Sequence, residues 1–261
     1  MKRILTFILT LTLALSFCVN SFAAATTATA SETQTGTSEA QTDTSKTQAD
    51  TSEAQTDTSK VQAGASYGIS NLSGAPDIVA ESAVVMDANT GTILYGKEAD
   101  TKRYPASITK VMTALLAVEN CKMSDVITYS NAAVNGIEAG SSTAGINVGA
   151  KLTVEDSLYA LMLVSANEAA AAIAEHISGS TTEFAKLMTK RAKELGCTNT
   201  QFKNPHGLPN EEHYTTAHDM GLILKEAMKH EEFRKISGTI SYTLKKSDTL
   251  KDTLELWNHA K

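Results

Sequence analysis

Residues 103–118 read RYPASITKVMTALLAV, a helical stretch with a serine and a lysine in its first turn. Pro105 suits the first turn of a helix, where its missing N–H costs nothing. Ile108, Val111, Met112, Leu115 and Val118 then recur at helical spacing. Ala114, Leu116 and Ala117 make the other faces apolar too, and a helix apolar all round is normally buried. Its first turn nevertheless carries Ser107 and Lys110. A buried lysine is costly unless it is paired or used. Three residues apart, the two side chains share one helix face. Burial favours the neutral amine, and a neutral Lys110 can take the proton of an otherwise weak Ser107 nucleophile.

A second polar motif interrupts apolar helical sequence at Ser165-Ala166-Asn167. A break between Met162 and Glu168 would let a loop point these side chains into a cleft. Ser165 could then relay a proton to a leaving amine. Asn167 could hold Lys110 and a substrate amide. Ser165 with Glu168 also reads as a capping box, which would explain the serine without chemistry. His206 and His213 lie in NPHGL (204–208) and HYTT (213–216). Their spacing fits no common zinc motif, and no G-x-S-x-G elbow occurs. Structural roles, bonding loop backbone, are expected for both. No metal or cofactor site is expected.

Around these motifs the sequence alternates between helix and strand signals. Val84, Val85, Ile93, Leu94 and Tyr95 flank the turn-rich Ala88-Asn89-Thr90-Gly91, which predicts a β-hairpin. Thr153 with Asp156, Ser180 with Glu183, and Thr216 with Asp219 mark three helix starts, and Gly196 marks a helix stop. Thr239–Leu244 alternates like a strand. The expected fold is α+β, a helical cluster packed on an antiparallel sheet.

The N-terminal third reads differently. Lys2 and Arg3, the apolar run Ile4–Val19 and the small residues at Ser21–Ala25 form a secretory signal over residues 1–25. The run is short for a spanning helix, which needs about 20 residues. Phe17 before Cys18 argues against a lipoprotein. Residues 26–75 are rich in Thr, Ser, Ala and Gln, and TSEAQTDTSK occurs at both 37–46 and 51–60. So polar a segment cannot offset its ordering entropy and reads as a disordered tether. The expected location is outside the cytoplasmic membrane, in the wall, the periplasm or the medium. Without Lys2 and Arg3, 21 basic residues face 29 acidic ones, a net of −8. That argues against nucleic acid or an anionic membrane surface as partner. Cys121 and Cys197 remain, too few for a disulfide framework.

Taken together, RYPASITKVMT (103–113), Gly140-Ser141-Ser142, LMLVSANEA (161–169), NPHGL (204–208) and HYTTA (213–217) resemble the low-molecular-mass penicillin-binding proteins. These are the serine D-alanyl-D-alanine carboxypeptidases of peptidase family S11. The resemblance covers residues 76–261. It implies a helical cluster on a five-stranded antiparallel sheet. It implies removal of the terminal D-Ala from peptidoglycan stem peptides through a Ser107 acyl-enzyme, with β-lactams acylating the same serine. Lys110 would be the general base, and Ser165 and Asn167 the second motif. The family's third motif, Lys-Thr-Gly, occurs nowhere in this sequence. It would supply a lysine for the substrate carboxylate and a strand N–H for the oxyanion hole, one such donor contributing about 10²–10³ in rate. The expectation is therefore the N-terminal part of a catalytic domain, incomplete at its C-terminal side and without the family's membrane-binding tail. Two other readings stay open: a β-lactamase of the same fold, and a non-catalytic module binding wall peptides or β-lactams.

Overall fold

The computed structural model describes residues 78–258. The signal and tether expected over residues 1–25 and 26–75 lie outside the described residues. β1 (Ala83–Met86) and β2 (Ile93–Lys97) form the expected hairpin, antiparallel with a bulge at Val85/Met86. Its turn is pinned by Asp87 Oδ1, which accepts from Asn89 N and Thr90 N at 3.0 and 2.7 Å. A 3₁₀ turn, Ala106–Thr109, leads into α1 (Lys110–Asn120). Then come β3 (Val126–Thr128), α2 (Asn131–Asn135), β4 (Lys151–Thr153), α3 (Val154–Leu163) and α4 (Asn167–Ser178). The order closes with α5 (Thr181–Glu194), α6 (Ala217–Ala227), α7 (Glu231–Ser237), β5 (Ser241–Leu244) and β6 (Leu254–Trp257).

The three helix starts read from sequence are present as caps. Thr153 and Asp156 bond reciprocally in a capping box. Ser180 Oγ accepts from Glu183 N, and Thr216 Oγ1 from Asp219 N. Helices α1, α3 and α4 make the core, where Leu115, Leu116, Leu158, Leu161 and Ile173 are all buried. Each such side chain contributes about 1.5–3 kcal/mol on burial. The alanines of α4 (169–172 and 174) are buried too, and their small size lets α1, α3 and α5 close around this helix. Arg191 of α5 chelates Glu119 of α1 with Nε and Nη2, at 3.1–3.2 and 2.7 Å.

The α+β class stands, but the sheet differs from the single five-stranded one that the resemblance implied. Among the described residues the strands pair as three separate two-stranded units. The pairs pack on different parts of the helical cluster, with β3 and β4 against α3 and α4. β1 lies against α6, whereas β5 and β6 lie against α3, where Tyr242 stacks on Tyr159 with ring centroids 3.7 Å apart. The expected lone strand at 239–244 has a partner, β6, in register Ser241↔Trp257 to Leu244↔Leu254. β3, β4 and β6 gave no sequence signal because three or four residues are too few for alternation to show.

Asp219 ties α6 to the segment before it. Its buried Oδ2 accepts from Asn199 N at 2.8 Å and Thr200 Oγ1 at 2.7 Å. Asp219→Ala leaves both donors unsatisfied and should cost about 2–4 kcal/mol in urea unfolding. Asp219→Asn keeps an acceptor and should cost distinctly less.

Candidate active site

Ser107 is exposed at the mouth of the site, on the 3₁₀ turn rather than inside an α-helix. Ala106 just before it has φ +47°, a left-handed conformation that costs a residue with a Cβ about 1–2 kcal/mol. One turn on, Lys110 is 3% exposed. Its Nζ donates to Asn167 Oδ1 at 2.7 Å and to the His206 carbonyl at 2.9 Å, and lies 3.4 Å from Ser107 Oγ. Burial lowers the lysine to about 8, with Glu168 pulling the other way.

This hydrogen-bond set has a chemical consequence. An ammonium has three donors, and three acceptors surround it here. A neutral amine has two donors and one lone pair. The two short bonds, to Asn167 and His206, can be kept by the amine. The long contact to Ser107 is the one free to reverse, with the hydroxyl donating to nitrogen.

The segment 204–208 builds the floor. Thr113 Oγ1 donates to Pro205 O at 2.6 Å, and Asn204 Oδ1 accepts from Gly207 N at 2.7 Å. Gly207 has φ +87°, and a Cβ there would stand 1.8 Å from Ala106 O. His213 Nδ1 accepts from Lys203 N at 3.1 Å, so Nε2 carries the proton and donates to Thr109 Oγ1 at 2.9 Å. His206 Nδ1 likewise accepts from Leu208 N. Burial pushes both imidazoles down to about 4, so they stay neutral around pH 7. Both histidines therefore bond loop backbone, as expected from sequence.

Of the four residues singled out in sequence, the structure brings Ser107, Lys110 and Asn167 into one hydrogen-bonded group. Ser165 sits in the break between α3 and α4, at φ +58°. Its Oγ is buried and has no hydrogen-bond partner among the described residues. The capping-box alternative fails, because Ala166 is the N-cap of α4 and no side chain caps it. Sequence reasoning missed the His206 carbonyl, a backbone atom with no side-chain signature, and the burial of Glu168. Elsewhere, donor atoms of Cys121, Asp125 and His176 lie within 4.8 Å of one another, as do those of Glu119, Glu226 and His230. The second group is spanned by Arg191.

The model of the peptidase S11 family, D-alanyl-D-alanine carboxypeptidase, matches residues 70–260. The chain belongs to this carboxypeptidase family. The D-alanyl-D-alanine carboxypeptidase DacF of Bacillus subtilis is 44% identical over 165 residues, 61% of this chain and 42% of that protein. Among solved structures, the carboxypeptidase DacD of Francisella tularensis superposes with TM-score 0.61 and 36% identity, over 68% of this chain and 43% of that one. The Streptomyces K15 DD-transpeptidase gives TM-score 0.63 and 34% identity, over 69% and 74%. The chain spans 39–42% of the length of the curated carboxypeptidases of Bacillus subtilis, Haemophilus influenzae and Escherichia coli. No helix among the described residues of this carboxypeptidase-family chain is long and apolar enough to cross a membrane.

Gly207 gives a direct test of how tightly this floor is fitted. Gly207→Ala should cost about 2–4 kcal/mol, from overpacking plus a strained φ. Gly140→Ala, with a similar φ of +83° but open space around the new Cβ, should cost about 1–2 kcal/mol. Urea unfolding of the two variants checks the contrast.

Proposed function

We propose that these residues form the nucleophilic half of a serine D-alanyl-D-alanine carboxypeptidase site. The observation that carries this is the buried Lys110 amine, lowered to about 8, beside an exposed Ser107 hydroxyl. Ser107 Oγ attacks the carbonyl carbon between the last two D-alanines of a stem peptide while Lys110 takes its proton. The tetrahedral centre collapses, the C–N bond breaks, and free D-Ala leaves with a proton delivered through Ser165. The Ser107 ester remains on the enzyme until water, giving up a proton to the same base, hydrolyses it. Asn167 holds Lys110 aimed at Ser107 throughout. A β-lactam places a strained amide at the same position, so its ring carbonyl acylates the same oxygen. No cofactor is needed for these steps.

Two features support a place in wall biogenesis outside the cytoplasmic membrane. One is the signal-like sequence over residues 1–25. The other is the substrate class of the family. The net negative charge supports a small-peptide substrate rather than nucleic acid.

A fluorescent penicillin should label the secreted chain covalently, and Ser107→Ala should abolish the label. Lys110→Ala should slow labelling by about 10²–10⁴-fold, the usual worth of a general base. A peptide ending in D-Ala-D-Ala should release D-Ala. Label without D-Ala release would point instead to a β-lactam-binding module, and rapid penicillin turnover to a β-lactamase. Absence of label on the folded chain would overturn the proposal.

A further inference from the structure

Glu168 follows Asn167 in the first turn of α4 and is 2% exposed. Its Oε1 accepts from Thr143 Oγ1 at 2.7 Å, Ala144 N at 2.8 Å, Gly145 N at 3.1 Å and Ile146 N at 3.4 Å. Oε2 is buried without a hydrogen-bond partner among the described residues. Asn167 N donates to Ser142 O at 3.0 Å. Two consecutive residues thus hold two different things. Asn167 holds Lys110 with its side chain, and Glu168 holds the turn 143–146 with its own.

A buried carboxylate is an expensive way to fix a turn. A neutral amide would supply the same acceptor at lower cost in desolvation. The charge has a second receiver, Lys110, whose ammonium form Glu168 favours against burial. Of the titratable groups on the elements packed around Lys110, Glu168 of α4 adjoins the Asn167 that holds its amine, and His206 of the 204–208 loop lends it a backbone carbonyl. His206 is neutral at working pH, and Ser107 and Asn167 carry no charge. Glu168 is then the neighbouring acid whose charge favours the ammonium form of Lys110.

We propose that Glu168 is a positioning residue of the Ser107 site: its carboxylate clamps the 143–146 turn to the start of α4 and sets the charge against which Lys110 exchanges its proton. This rests on the carboxypeptidase reading for its catalytic meaning. Asn167 and Glu168, adjacent at the start of α4, together couple the turn to the lysine through a single peptide unit.

The test compares Glu168→Gln with Glu168→Ala in the whole chain. It reads amide hydrogen exchange at Ala144, Gly145 and Ile146, and the NMR titration of the Lys110 side chain. Glu168→Gln keeps an acceptor, so the three amides should stay protected. It removes the charge, so the Lys110 midpoint should fall by about half to one unit. Glu168→Ala should speed exchange at the three amides by about tenfold or more. An unmoved Lys110 midpoint in Glu168→Gln would overturn the charge role. Unchanged protection in Glu168→Ala would overturn the clamp. Should Glu168→Ala fail to fold, Glu168→Met, which fills the space without offering an oxygen acceptor, takes its place, and unchanged protection of the three amides there would overturn the clamp. Neither readout needs acylation. Both effects in a chain that takes no penicillin would support the placement of Glu168 and count against the carboxypeptidase reading alone.

Discussion

Everything in this site depends on keeping one amine, Lys110 Nζ, out of water. Left alone, a buried lysine would lose solvation with nothing in return. Here the Asn167 amide oxygen and the His206 carbonyl meet it at 2.7 and 2.9 Å. Those acceptors come from segments 57 and 96 residues away in sequence. The lysine therefore locks α1, α4 and the 204–208 loop together, and the same packing that hides it lowers its proton affinity. The packing of the site and the lowered proton affinity of the amine thus have one cause.

The supporting strain falls where that cause would place it. Ala106 and Ser165 are two of three non-glycine residues with positive φ among the described residues, and both sit in the motifs that flank Lys110. Strain of this kind persists only where the surroundings over-determine the backbone. At Ala106 the close approach of Gly207 does this. At Ser165 the buried ends of α3 and α4 hold the break. Asp219, Arg191 and the Tyr159–Tyr242 stack sit further out and fix the frame on which these turns rest.

Sequence reading recovered what local chemistry writes down. The Ser107–Lys110 pair, the three helix starts and the β1–β2 hairpin follow from spacing and cap residues, and each is present. Asn167 was legible because an Asn in an apolar helical context needs a partner, and Lys110 is that partner. The His206 carbonyl was not legible, since a backbone acceptor depends on where a loop folds rather than on its residue type. Glu168 was hidden by its own pattern. Ser165 followed by Glu168 mimics a capping box, yet the glutamate turns to the 143–146 segment instead. Strands β3, β4 and β6 were lost for a different reason: each has only three or four residues, too few for alternation to show.

The central claim is that neutral Lys110 activates Ser107. The most direct measurement is the second-order rate of β-lactam acylation as a function of pH, read by intact mass. The account predicts a rate that rises about tenfold per unit below a midpoint of about 8 and levels off above it. The protonated lysine is inactive as a base, and only the neutral fraction grows with pH. A rate that stays flat from about pH 6 to 9 would contradict the account, because Ser107 would then be reacting without Lys110.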